Sequence, residues 1–229
     1  MKALAIRPRV AGSAQVIEVP CPKPSSGQAL VRVLEVGICG TDAEINGGLY
    51  GEAPPHEEFL ILGHEALGRL ENGDLVAPMV RRPCSRCRNC ETGNQDMCDS
   101  GAFTERGIKA IHGALCEFIV EDPGMLVPVP QSASSYAVLM EPMSVVAKGL
   151  RQAELMQQRL HWRRKRALVL GAGPIGLLAT LTLRESGWDV MTVARKPSGS
   201  AKAAIVESSG ARYHSTGDCP IAELSSRIE

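Results

Sequence analysis

The chain has no excess of charge: 25 Lys and Arg balance 25 Asp and Glu, a formal net charge of zero. Nothing in that balance draws the whole protein to nucleic acid or to an anionic membrane. Aromatic residues are scarce, at 3%. A long apolar run is missing too. The uncharged, largely apolar stretch Ala167–Leu183 carries three Gly, one Pro and two Thr and falls short of a bilayer span. The first residues, Met1 to Arg9, are positively charged but lack an apolar segment and a small-residue cleavage pattern. No signal peptide is read, and a cytoplasmic setting is expected.

Turn formers are plentiful, with 23 Gly and 15 Pro among 229 residues, which suits a portion built of short strands. The length allows one or two domains. Eight Cys without an export signal favour metal ligation over disulfides.

Gly37-Ile38-Cys39-Gly40-Thr41-Asp42 is followed about twenty residues later by Gly63-His64-Glu65. Together they supply a thiolate, a hydroxyl, an imidazole and a carboxylate, which is the make-up of a zinc site with an open position. The alternative reading is a small buried Cys and a satisfied core His. Segments 3–6, 15–19, 29–36, 59–70 and 74–80 read as strands. Pro20 to Gly27 and Gly47 to Glu58, with His56, read as loops.

Cys84, Cys87, Cys90 and Cys98, at x2, x2 and x7 spacing, can close a tetrahedral all-cysteine zinc site. An iron-sulfur cluster or a reduced loop are the competing readings. Strand character resumes over 112–120, where His112 reads as a loop residue and Cys116 as core. Ser134 to Leu155 is patterned as a helix, with Glu141 in an apolar stretch just before Pro142. A carboxylate there needs a partner, either a metal or the helix N-terminus. The basic run His161 to Arg166 reads as a solvated linker, with nucleic-acid contact as the alternative.

Arg166 to Leu170 reads as a buried strand, Gly171-Ala172-Gly173-Pro174-Ile175-Gly176 opens a helix, and Trp188 to Val193 is a second strand. A G-x-G-x-x-G in that setting places a pyrophosphate on the helix N-terminus, so Gly171, Gly173, Pro174, Ile175 and Gly176 are candidate cofactor residues. After the second strand comes Ala194-Arg195-Lys196, where an NAD site would carry Asp or Glu. Arg195 and Lys196 suit a 2′-phosphate, so NADP is preferred, with NAD possible. Ser200 to Ser209 reads as the next helix and Ala211 to His214 as a third strand.

Taken in order, these motifs resemble the zinc-containing medium-chain dehydrogenase/reductase family, in its glucose 1-dehydrogenase branch. The likeness covers essentially the whole chain. Gly37 to Tyr50, Glu52-Ala53-Pro54-Pro55 and Leu62 to Gly68 carry the branch assignment. The resemblance implies a mixed α/β fold: a GroES-like, partly open β-barrel catalytic domain over 1–146, with a structural-zinc lobe at 84–98, then part of a Rossmann domain over 147–229. It implies two Zn2+ per chain. Cys39, His64, Glu65 and Glu141 would bind the catalytic one and Cys84, Cys87, Cys90 and Cys98 the structural one.

Thr41 matches the family's proton-relay hydroxyl, and Thr41, Glu105 and Glu141 are candidate substrate contacts. The family often has His where this chain has Glu44. The implied reaction oxidises D-glucose or a related aldose to its lactone with hydride transfer to NADP. Another zinc-dependent alcohol or polyol dehydrogenase is the neighbouring alternative, and a zinc-binding fragment without turnover is a second. A small-molecule sugar is the expected partner, with no nucleic acid and no membrane. A homo-oligomer, dimer or tetramer, is expected of the full-length form. The chain stops after about three strands of the nucleotide domain and reads as truncated relative to the family.

Overall fold

The computed structural model describes residues 1–161, 165–218 and 220. Trp162, Arg163 and Arg164 of the basic run lie outside the described residues, as do Cys219 and residues 221–229. The chain divides into two compact units, Met1–Glu141 and Pro142–Glu229.

The first unit is mostly β-structure. It contains β1 (Lys2–Ile6), β2 (Gln15–Glu18), β3 (Ala29–Gly37), β4 (Leu60–Ile61), β5 (Glu65–Arg69), β6 (Leu75–Pro78), β7 (Arg81–Arg82), β8 (Thr104–Arg106), β9 (Ala110–Ile111), β10 (Phe118–Glu121) and β11 (Leu126–Val129). Two short helices interrupt them, α1 (Gly40–Asn46) and α2 (Arg88–Glu91). The strands form three sheets, in the orders β2-β1-β4, β10-β3-β5-β6-β11 and β7-β8-β9. Val31, Ala66, Val76, Ala114 and Ile119 fill the core of the five-stranded sheet. Ile6, Ile45, Leu60 and Leu62 form a second cluster under α1, with Tyr50 packed on it. Ile6, Ile45 and Leu60 are fully buried, each contributing roughly 1.5–3 kcal/mol.

The strand expected over 59–70 is two strands in different sheets. Leu60 and Ile61 pair with β1, whereas Glu65 to Arg69 pair with β3. Gly63 makes the corner, with φ of +93°, and a Cβ on it would lie 2.8 Å from Leu115 Cγ and 2.9 Å from Leu115 N. Only glycine fits that backbone and that space. The expected strand over 112–120 narrows to β10. Residues 113–115 bond instead to the corner, with Gly113 N–H donating to Ile61 O (2.7 Å) and Leu115 N–H to Leu62 O (2.8 Å).

The β7-β8-β9 lobe is tied to the five-stranded sheet by charge. Arg106 donates to Glu121 Oε2 on β10 at 2.6 Å, and Arg82 donates to the same oxygen. All three side chains are largely buried. Removing Glu121 would leave two cations without a counter-charge, so this carboxylate fixes where the lobe sits.

The helix expected from Ser134 begins later, as α3 (Met140–Gln157), after single 3-10 turns at Gln131–Ala133 and Ala137–Leu139. Pro142 falls in its first turn, where a missing N–H costs no helical bond. The second unit continues with β12 (Arg166–Leu170), α4 (Pro174–Glu185), β13 (Asp189–Ala194), α5 (Ala201–Ser208) and β14 (Arg212–Ser215). Its three strands are parallel, in the order β12-β13-β14, and α4 and α5 pack on them through Leu183, Val190, Val206 and Ala211. A buried hydroxyl pair, Thr180 with Thr192 at 2.7 Å, satisfies the polar atoms between α4 and β13.

Candidate functional site

Register brings the first motif pair together. In the β3–β5 ladder Gly37 lies opposite Glu65. Cys39, two residues past the end of β3, therefore meets His64, one residue before β5. Cys39 Sγ lies 3.1 Å from His64 Nε2. The same Cys39 is the N-cap of α1: its sulfur accepts from Thr41 N–H at 3.3 Å, and its own N–H donates to Asp42 Oδ2 at 3.0 Å. A capping box thus aims the thiol. A Cβ on Gly37 would collide with the Glu65 carboxylate, so glycine is required for that side chain to fold over β3.

Two donor groups overlap at His64. Cys39, Asp42 and His64 form one, and His64, Glu65 and Glu141 the other, each with ligand atoms within 4.8 Å of one another. His64 and Glu65 are buried, and Cys39 and Glu141 half-buried. Burial pushes the Cys39 thiol up, and it pushes the Glu65 and Glu141 carboxyls above the usual carboxylate range, partly offset by His64. His64 Nδ1 and Asp42 Oδ1 are buried without a hydrogen-bond partner, although they face each other at 3.6 Å. A sulfur on one side of the buried imidazole and two carboxylates on the other are donor types that suit a divalent cation, which would favour the anionic forms that burial disfavours.

Thr41 stands beside these donors. Its N–H donates to Cys39 Sγ, Tyr50 packs on the apolar cluster under α1, and Glu44 is exposed one turn along the helix. Burial is the main cause that raises the Tyr50 phenol above its ordinary value. Sequence reasoning left Asp42 and Tyr50 without roles. Asp42 stood inside the quoted hexapeptide, but its meeting with His64 depends on the β3–β5 register.

Glu105 lies outside both donor groups. It sits on β8 opposite Arg81, which donates to its Oε1 from Nε (3.0 Å) and Nη2 (2.6 Å) and stacks over Phe103 at 4.0 Å. The turn after β8 touches the His64 corner, since a Cβ on Gly107 would lie 2.6 Å from Gly63 O.

Cys84, Cys87, Cys90 and Cys98 bring four thiols within 4.8 Å of one another. Cys87 Sγ and Cys98 Sγ are 3.9 Å apart, and all four are free. The Ser100 hydroxyl draws Cys84 down to about 6, whereas burial pushes Cys90 up to about 12. Four sulfurs with no other ligand type in the group match a closed structural zinc site. His112 is a loop residue whose Nδ1 accepts from Ile61 N–H (3.2 Å) and whose Nε2 meets Glu57 (2.8 Å). Cys116 packs against two of the apolar clusters.

In the second unit the glycine run joins β12 to α4. Gly171 has φ of +102° and its N–H donates to Val193 O at 2.7 Å. A Cβ on Gly176 would collide with Gly171 O, so the helix seats directly on the loop. Gly173 is the N-cap of the twelve-residue α4 and offers no side-chain acceptor, with Pro174 following. The first N–H groups of α4 are therefore open to a phosphate. Arg195 and Lys196 are exposed just past β13.

Comparison with known proteins follows the same division. A family profile described as "Alcohol dehydrogenase GroES-like domain" matches residues 25–131, and one described as "Glucose dehydrogenase C-terminus" matches residues 134–229. The glucose 1-dehydrogenase of Methanocella arvoryzae is 49% identical over 235 residues, covering 98% of this chain and 66% of that protein. The glucose 1-dehydrogenase of Thermoproteus tenax is 45% identical over 224 residues, covering 93% of this chain and 63% of that protein. The chain thus spans about two thirds of the length of the curated relatives it matches. Among solved structures, Haloferax mediterranei glucose dehydrogenase in complex with NADP, Zn and gluconolactone superposes with a TM-score of 0.89 at 36% identity, covering all of this chain and 68% of that one.

Proposed function

Because the chain belongs to the zinc-containing medium-chain dehydrogenase/reductase family, in its glucose dehydrogenase branch, we propose that it carries the metal site and part of the nucleotide site of an NADP-linked glucose 1-dehydrogenase. Cys39, His64, Glu65 and Glu141 would hold the catalytic zinc, and Cys84, Cys87, Cys90 and Cys98 the structural one. The observation that carries this reading is the meeting of sulfur, imidazole and two carboxylates at His64. When bound, zinc supplies Lewis acidity toward the anomeric hydroxyl of the sugar, and NADP supplies the hydride acceptor.

The chain's own residues handle the proton. Thr41 Oγ1 accepts it from the anomeric hydroxyl while releasing its own, and the Tyr50 hydroxyl and the exposed Glu44 carboxylate are the groups of this chain proposed to carry it on to solvent. Glu44 thus ends the path where relatives often carry His. Loss of that proton and of hydride from C1 leaves the gluconolactone. Asp42, which faces His64 Nδ1 at 3.6 Å, would favour the ring orientation that leaves Nε2 free to bind a metal. Glu105, fixed by Arg81, is suited to accept a sugar hydroxyl hydrogen bond.

In the second unit Gly171, Gly173, Pro174, Ile175 and Gly176 receive the pyrophosphate, and Arg195 and Lys196 the 2′-phosphate, which favours NADP over NAD. Among the described residues no helix is long and apolar enough to cross a membrane. Exposed Val145, Leu155 and Met156 on α3 agree with a homo-oligomer. The test is metal analysis together with glucose-dependent NADP reduction. Two zinc with turnover supports the dehydrogenase. Zinc without turnover favours a metal-binding chain that needs the further third present in its relatives.

A further inference from the structure

The cationic segment after β13 does not float free. It runs Arg195-Lys196-Pro197-Ser198-Gly199 into Ser200, the N-cap of α5. Its backbone is pinned from the neighbouring strand. Tyr213 Oη, on β14, donates to Lys196 O at 2.8 Å. Past the end of β14, Asp218 Oδ2 accepts from Ser198 N–H (3.1 Å) and from Ser198 Oγ–H (3.0 Å). Thr216 N–H donates to Ala194 O at 2.9 Å. The turn holding Asp218 is itself braced, because Ser215 Oγ accepts from the N–H groups of Gly217 (3.2 Å) and Asp218 (3.3 Å).

This clasp bears on the candidate 2′-phosphate site, because Ser198 and Lys196 O belong to the segment that carries Arg195 and Lys196. Arg195 and Lys196 are long exposed side chains, and binding a phosphate with them costs the entropy of ordering both chains and the loop that carries them. Tethers on either side of the pair, at Ala194 O, Lys196 O and Ser198, order the loop during folding instead. The carboxylate is the unexpected part. A negative charge beside an anion site opposes the anion, so an acid placed there is explained by its two accepted hydrogen bonds and not by its charge. Those bonds keep it ionised, with its pKa below the usual range through Ser198.

We propose that Asp218 is a positioning residue for 2′-phosphate recognition, holding through Ser198 the segment that presents Arg195 and Lys196. The inference rests on the NADP reading above. Its test needs no turnover: calorimetric binding of adenosine 2′,5′-bisphosphate and of 5′-AMP to the 229-residue chain. The wild-type chain is expected to bind the bisphosphate at least about tenfold more tightly than 5′-AMP. Asp218→Ala should weaken the bisphosphate about three- to tenfold and leave 5′-AMP unchanged. Asp218→Asn keeps an acceptor and should stay within about twofold of wild type or bind more tightly. Tyr213→Phe, which removes only the hydroxyl, should shift the bisphosphate in the same direction as Asp218→Ala.

Equal or tighter bisphosphate binding by Asp218→Ala would mean that the residue acts only as a repulsive charge and would overturn the proposal. A parallel loss for both ligands would overturn it in favour of a purely structural role. A wild-type chain that does not discriminate between the ligands would refute the NADP reading and the clasp's role with it. A wild-type preference that the variants leave unchanged would refute the clasp alone.

Discussion

Asp42 Oδ1 lies 3.6 Å from His64 Nδ1, with both side chains 4% exposed and neither atom bonded elsewhere. The imidazole edge opposite that carboxylate, Nε2, is the one that meets Cys39 Sγ. Asp42 also closes the capping box with Cys39, so one carboxylate orients both a nitrogen and a sulfur donor.

Asp42→Asn should therefore weaken zinc at the Cys39 site by about ten- to a hundredfold while the four-cysteine lobe keeps its metal. Chelator competition followed with a zinc dye separates the two sites by affinity. Equal retention at both sites in the variant would show that Asp42 does not orient the ligands.

Gly37→Ala tests the approach of Glu65 to β3. The added methyl meets the Glu65 carboxylate, and overpacking of this kind costs about 1–3 kcal/mol. The expected result is a lower unfolding midpoint together with loss of zinc from the Cys39 site. A variant with wild-type stability and two zinc would contradict the close approach.

Much of the site was legible because it is local. The four cysteines and the glycine run depend on spacings of a few residues: the four thiols lie within 4.8 Å of one another around α2, and the glycine run joins β12 to α4. The parts that escaped depend on long-range register. Asp42 gains its meaning only when Gly37 lies opposite Glu65, and Asp218 only when β14 lies beside β13 in parallel. The single strand read over 59–70 failed for a conformational reason. The apolar run continues through Gly63, but its positive φ turns the chain from one sheet into another. The late start of α3 has a related cause, since the apolar residues before Met140 are used in 3-10 turns that bury Ala137 against the β5–β6 core.

Tyr50→Phe removes the middle of the proton path while keeping the ring in its cluster with Ile45 and Leu60. In a form of the protein that turns over, kcat for glucose oxidation should fall about tenfold to a hundredfold, with zinc content and KM little changed. An added small base should restore part of the rate. Unchanged kcat would place the proton exit elsewhere.

Cys116 supplies a pH test at a residue outside both donor groups. Burial pushes its thiol up from 9.0 to about 11, with Arg106 opposing. Between those values the unfolded chain loses the proton first, so the folded state binds more protons and stability falls as pH rises. Cys116→Ala removes this one contribution. The gap in unfolding midpoint between wild type and variant, measured at pH 8 and pH 10.5, should narrow or reverse at the higher pH. Parallel curves would mean that the thiol titrates alike in both states.

Metal content of the intact chain and of Cys39→Ser, read by native mass spectrometry with circular dichroism to establish folding, bears most directly on the central claim. The two donor groups that share His64, Cys39 with Asp42 and Glu65 with Glu141, together with the separate four-cysteine group, predict two zinc in the wild-type chain and one in the folded variant. A folded Cys39→Ser chain that still holds two zinc, or a wild-type chain that holds only one, would contradict it.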